Sequence, residues 1–275
     1  MRTTLRPLFL AVRRSSAVAA GVFCLVLPVC AANIQLLPVA DGTLFAVEPD
    51  RANGAGAHLF IGTIASGDPR RALLRFDLSG IPPGSIITSA SLRILVDRAA
   101  IGSSLDDTAT LHRLLADWGE GASNSGGGGG GDVARAGDAT WTQRFYAASP
   151  PQPWSTPGGD FAAGGASIPL TAIGSHTWAN DPAMLADLQA WIDVPSSNHG
   201  WLIRGNEASS QNAKRMISRE GGNGPLLTLQ YELPAAPSGD VPLPGWALGA
   251  LAAALLGSAA GSRRRRNAGK ADTDR

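Results

Sequence analysis

The stretch that most constrains this 275-residue chain is 71–96, RALLRFDLSGIPPGSIITSASLRILV. In its first part Ala72, Leu74, Phe76 and Leu78 share one parity, and Arg71, Arg75 and Asp77 the other. In its second part Ile86, Thr88, Ala90, Leu92, Ile94 and Val96 alternate with Ser89, Ser91 and Arg93. A period of two marks a half-buried strand, because successive side chains leave opposite faces. Between the two parts, Ile81-Pro82-Pro83-Gly84-Ser85 suits neither a helix nor a central strand, since proline has no N–H to donate and glycine invites a turn. The stretch predicts a hairpin of two strands joined by a Pro-Gly loop.

Other short strands are predicted at 43–47, 58–62, 108–114, 200–204 and 225–232; in the last, Leu227, Leu229 and Tyr231 alternate with Thr228, Gln230 and Glu232. One helix is predicted at 181–193. Asp181 can cap it, Pro182 suits its first position, and Met184, Leu185, Leu188, Trp191 and Ile192 form one apolar stripe. Residues 121–138 include six consecutive glycines, 126–131. With maximal backbone entropy to lose and little to bury, they predict a mobile loop. No Gly-Lys-Ser/Thr follows, so the loop is not a phosphate cradle. Residues 139–174 read as long irregular connections with up to two short strands, holding Trp141, Tyr146, Trp154 and Phe161. Many short strands punctuated by Gly and Pro, with one short helix, indicate an all-β fold, an antiparallel β-sandwich.

The ends belong to no core. Residues 1–32 carry Arg2, Arg6, Arg13 and Arg14, then an apolar run, then Ala31 and Ala32. That is the layout of an N-terminal signal helix cut by signal peptidase after Ala31 or Ala32. Both cysteines, Cys24 and Cys30, lie in this removable segment, which excludes disulfides, cysteine catalysis and cysteine-ligated metals from the mature chain. At the other end, a linker at 234–240 precedes Val241, Pro242, Leu243, Pro244, a hydrophobic helix, and the cluster Arg263, Arg264, Arg265, Arg266; residues 267–275 read as a disordered basic tail. By the positive-inside rule those arginines stay cytoplasmic, which leaves the body across the membrane. The body, 33–240, holds 13 Lys and Arg against 20 Asp and Glu, a net of −7, which argues against nucleic-acid binding.

The tripartite tail, VPLPGWALGALAAALLGSAAGSRRRR, resembles the PEP-CTERM class of sorting signals in its VPLP variant. The resemblance implies export across a Gram-negative-type envelope, transient anchoring in the inner membrane through 241–266, and processing by an exosortase-like enzyme. Gly245 and the Ala-rich stretch depart from the pattern and leave a retained anchor open. The body, 33–233, resembles the DNRLRE domain, related to carbohydrate-binding module family 96. The resemblance rests on RALLRFDLSGIPPGSIITSASLRI, the pair LHRLLADWGEG and ATW, GWLIRGNEAS, and KRMISREGGNGPLLTLQYE. It implies a jelly-roll sandwich of the kind appended to secreted enzymes acting on polysaccharide, with acidic polysaccharides such as alginate among the ligands.

A sugar site needs rings to stack on pyranose faces and forks to hold hydroxyls or carboxylates. Trp118 and Trp141, which flank the glycine loop, are the leading rings, ahead of Trp154 and Trp178; Arg113, Arg204, Arg215 and Arg219 are the candidate forks. Pairing of Arg204, Arg215 and Arg219 with Glu207, Glu220 or Asp77 would instead make a structural network. No other cofactor is expected, but Asp41, Asp50 and Asn53 offer hard oxygens for a structural Ca²⁺. Four scattered histidines, no HExxH and no GxSxG predict no enzyme; Asp117 and Glu120 are the nearest approach to a glycosidase carboxylate pair. The expectation is an exported, non-catalytic, polysaccharide-binding module, with a structural matrix protein and an unrecognised lyase or hydrolase as rivals.

Overall fold

The computed structural model describes residues 31–100 and 107–234. The signal segment before Ala31, the 241–244 motif, the hydrophobic tail and the 263–266 arginines lie outside the described residues. Strands run in the order β1 (Ala31–Leu36), β2 (Pro38–Phe45), β3 (Arg51–Ala52), β4 (His58–Thr63), β5 (Pro69–Phe76), β6 (Ile86–Ala99) and β7 (Asp107–Arg113). Three short strands follow in a long excursion, β8 (Asp132–Val133), β9 (Gln143–Phe145) and β10 (Gln152–Pro153). Then come β11 (Ala166–Leu170), β12 (Gly174–Ala179), helix α1 (Pro182–Asp193), β13 (Trp201–Arg204), β14 (Lys214–Ile217) and β15 (Leu226–Glu232). No helix among the described residues is long and apolar enough to cross a membrane.

The long strands form one curled antiparallel sheet in the order β1-β15-β6-β14-β4-β5-β13-β7-β11, with β12 also on β6 and β2 also on β5. Strand β4 is the corner. It pairs with β14 over His58 to Ile61, but with β5 only through Gly62↔Arg70 and Thr63↔Pro69. The sheet thus folds over into the two layers of an all-β sandwich.

The expected hairpin does not form. β5 pairs with β2, β4 and β13, and β6 with β12, β14 and β15, so the two strands lie in opposite layers. The connection is too long for a tight turn, and Leu78 and Ile81 within it are buried in the core. The apolar faces read from the alternation therefore meet across the interior instead of side by side. Ala72, Leu74 and Phe76 belong to one buried cluster with Leu92, Ile94, Val96, Leu227 and Leu229. At the start of β6 the register shifts between Gln230 and Tyr231, and Ile86, expected on the core face, is 55% exposed.

Helix α1 follows its sequence signals. The Asp181 carboxylate accepts from the Ala183 N–H at 2.8 Å, Pro182 opens the helix, and Met184, Leu188, Trp191 and Ile192 are buried. Trp191 lies 4.6 Å from Trp201, whose indole N–H donates to Asp187 at 2.9 Å.

A second apolar cluster joins Leu44, Leu73, Leu114, Trp118, Trp154 and Leu202. Leu73 and Leu202 point away from the main core, so β5 and β13 are buried on both faces. The excursion between β7 and β11 supplies the cover. This explains the run Trp201-Leu202-Ile203, where burial on both sides replaces alternation.

Candidate functional site

Among the sequence-derived candidates, Trp118 is 1% exposed, its indole N–H donates to His199 O at 2.9 Å, and the Arg75 guanidinium covers its ring at 5.3 Å. It therefore has no face to offer a sugar, which corrects the expected stacking platform; the excursion brings it inward because its apolar area is worth more in the second cluster. Trp154 and Trp178 are buried as well. Trp141 is half-buried and stacks at 4.8 Å on Arg71, which is held by Glu207 at 2.7 and 2.9 Å and by Gly158 O at 2.7 Å.

The four arginine candidates all have carboxylate neighbours. Arg113 Nε lies 3.6 Å from Asp187, and Arg204 Nε 3.9 Å from Glu207. Arg215 forks onto Asp97, with Nε at 3.0 Å, and donates to Gly127 O at 3.1 Å. Arg219 Nη2 is 2.7 Å from both Glu120 and Glu220. For Arg204, Arg215 and Arg219 the fold contains the structural network, through Glu207, Asp97 and Glu220 respectively; Asp77 takes no part in it.

The expected calcium set does not assemble either. Asp50 is exposed, and both ends of the Asn53 amide are engaged, Nδ2 donating to His58 O and Oδ1 accepting from the Ser125 N–H. Asp41 is instead brought to Glu120 and Glu220, one oxygen of each lying within 4.8 Å of the others. Its backbone N–H donates to Glu120 Oε1 at 2.8 Å, and its Oδ2 accepts from the Arg219 N–H at 2.7 Å. Burial, opposed by that backbone hydrogen bond, pushes the Asp41 carboxyl up to about 7.

Sequence reasoning missed a pocket of about 360 Å³ lined by Phe60, Arg70, Arg98, Gly127 to Gly129, Lys214 and Arg215. Arg70 is its distinctive wall. The guanidinium stands over Phe45 at 5.8 Å and Phe60 at 5.7 Å, and its Nε is buried without a hydrogen-bond partner. No carboxylate among the described residues pairs with it, and burial pulls its pKa down. The glycines have a packing reason here. A Cβ on Gly129 would stand 2.7 Å from Arg70 Nη1 and 3.2 Å from the Phe60 ring, so a side chain would close the pocket. At Gly131, with φ +72°, a Cβ would meet the Phe45 ring at 3.0 Å. This end of the glycine run does have something to lie against.

Three more cations stand around Arg70. Arg98 is exposed, Arg215 is tied to Asp97, and Lys214 is buried with Asp107 at 3.3 Å. A body of net charge −7 thus gathers four positive side chains at one opening. The available sequence signal was parity: Arg70 falls in step with Ala72, Leu74 and Phe76, a charge on the buried side of β5.

His58 stands beside the Arg215–Asp97 pair, its Nε2 3.6 Å from Asp97 Oδ2. Burial first, then Arg215, hold its pKa below the ordinary 6.5. The unfolded chain therefore takes up the proton first as pH falls, so folding stability is lost downward from about 6.5. We expect His58→Gln to remove that part of the slope in melting temperature between pH 8 and 5; an unchanged slope would place its origin elsewhere.

Comparison with models of known protein families gives no match, and comparison with curated proteins gives none either.

Proposed function

We propose that this chain is an exported, non-catalytic module that binds polysaccharide at the cell envelope or in the extracellular matrix, and that the Arg70 pocket receives an acidic group of the sugar chain. One observation carries the reading: a half-buried guanidinium, flanked by two aromatic rings and lacking a carboxylate partner among the described residues, opens into a pocket of about 360 Å³. A desolvated charge is costly until an anion meets it, and a uronate carboxylate matches the arginine fork. The resemblance to the DNRLRE domain and family 96 modules supports the same ligand class.

The placement of the ends fits a tethered module. Ala31 pairs with Glu232, and Glu232 with Ile86, so both ends of the described domain leave beside the start of β6. Arg98 and Ala99, which line the pocket, close the same strand, roughly 40 Å away at about 3.3 Å per residue. A tail of the PEP-CTERM kind would hold the pocket outward for as long as it stays anchored. The non-catalytic reading is supported by the engagement of Asp117 with Arg75 at 2.6 Å and of Glu120 with Arg219.

The buried Trp118 and the paired Arg113, Arg204, Arg215 and Arg219 favour a second reading, a matrix scaffold with no sugar site. Affinity electrophoresis of residues 31–240 separates the two. Gels cast with a polyuronate are expected to retard the protein, less so as salt rises, while gels with a neutral glucan are not. Equal mobility in every gel would leave the scaffold. New reducing ends or unsaturated products after incubation would defeat both.

A further inference from the structure

We infer that Asp41, Glu120 and Glu220 form a site for a divalent cation of the Ca²⁺ class, held between β2, the loop after β7 and the turn that follows β14. The three residues are brought together from positions 79 and 100 apart in the chain, and one oxygen of each lies within 4.8 Å of the others. Two oxygens on one Ca²⁺, each at about 2.3–2.6 Å, stand at most about 5 Å apart, so this spacing admits a shared ion without moving the backbone.

A cluster of carboxylates alone would say little. The independent observation is the state of Asp41, which is fully buried in β2. Its Oδ2 is satisfied by the Arg219 N–H, but its Oδ1 is buried and accepts no hydrogen bond. Buried carboxylate oxygens are held by donors or cations, and here a donor is missing. Both glutamates on the same site are only partly covered.

Arg219 is the group that now balances the cluster. Its Nη2 reaches Glu120 Oε1 and Glu220 Oε1, both at 2.7 Å, yet one guanidinium faces three carboxylates. The Arg219 side chain is 36% exposed, so its head can turn out to solvent while its backbone N–H stays on Asp41. The ion and the guanidinium are alternatives for one place. When the ion enters, it takes the orphaned Asp41 oxygen and the two glutamates, and ties β2 to the 219–221 turn. The site is separate from the Arg70 pocket and needs no glycan.

The test uses the chelator-treated full chain in detergent, titrated with CaCl₂ in a calorimeter, with NaCl as the ionic-strength control. Terbium provides a second readout, because Trp118 stands two residues from Glu120 and can sensitise its emission. One saturable Ca²⁺ site is expected, with a melting temperature that rises with Ca²⁺ and terbium emission that Ca²⁺ quenches. E220Q, at the exposed edge, keeps the fold and is expected to weaken binding about tenfold or more, and D41N to abolish it. No saturable heat at millimolar Ca²⁺ would overturn the site, as would affinities unchanged in both variants.

Discussion

Replacing Arg70 with methionine is expected to leave the sandwich folded and to weaken binding of a polyuronate about 10- to 100-fold, the worth of one charge-assisted pair at roughly 1.5–3 kcal/mol. The stem of methionine can still lie between Phe45 and Phe60, whereas the charge that faces the pocket is gone. Stability should stay level or rise slightly, since a desolvated cation without an internal carboxylate partner is a cost to the fold. Loss of binding with no loss of stability is the mark of a ligand group. Arg98→Met, at an exposed position, should cost less. Unchanged binding in R70M would remove the pocket from the account.

Trp118→Ala makes the opposite prediction. The indole fills the second cluster, with its N–H on His199 O and Arg75 over its face. Truncation should cost about 3–5 kcal/mol, which for a domain of this size lowers the melting temperature by roughly 6–20 °C. Polyuronate binding measured well below the new midpoint should be unaffected. Trp141→Ala, at a half-buried ring stacked on Arg71, should fall between the two in stability. Should W118A melt like the parent and lose sugar, the ring is a platform after all and the burial described above is wrong.

The strands were legible because one face of most of them is wet, so alternation survives in the sequence. Helix α1 was legible because its cap and its stripe are local. Pairing was not legible. Whether β5 and β6 lie side by side or face each other depends on Leu78 and Ile81 entering the core, and alternation is the same in both cases. Doubly buried segments lost their pattern for a related reason: Leu73 and Leu202 face a cover supplied by residues 114–154. The candidate site fared less well. Tryptophan and arginine are plausible sugar contacts and equally good core and network residues, and only the fold divides them. Trp118 went inward, Arg215 and Arg219 found carboxylates, and Arg70 drew no carboxylate among the described residues. The carboxylates beside Asp41 come from 120 and 220 instead of from 50 and 53, a distance in sequence that no local motif spans.

The most direct measurement is a side-chain NMR titration of the ¹⁵N-labelled domain with an oligouronate, following arginine Nε–Hε, tryptophan indole and glycine amide signals together. Arg70, Arg98 and Arg215 are expected to shift with one saturable affinity, along with the amides of Gly127 to Gly129, while the Trp118 indole stays in place. Shifts gathered at Trp141, Arg113 and Arg204 with Arg70 silent, or no shift at any oligouronate concentration, would contradict binding at the Arg70 pocket.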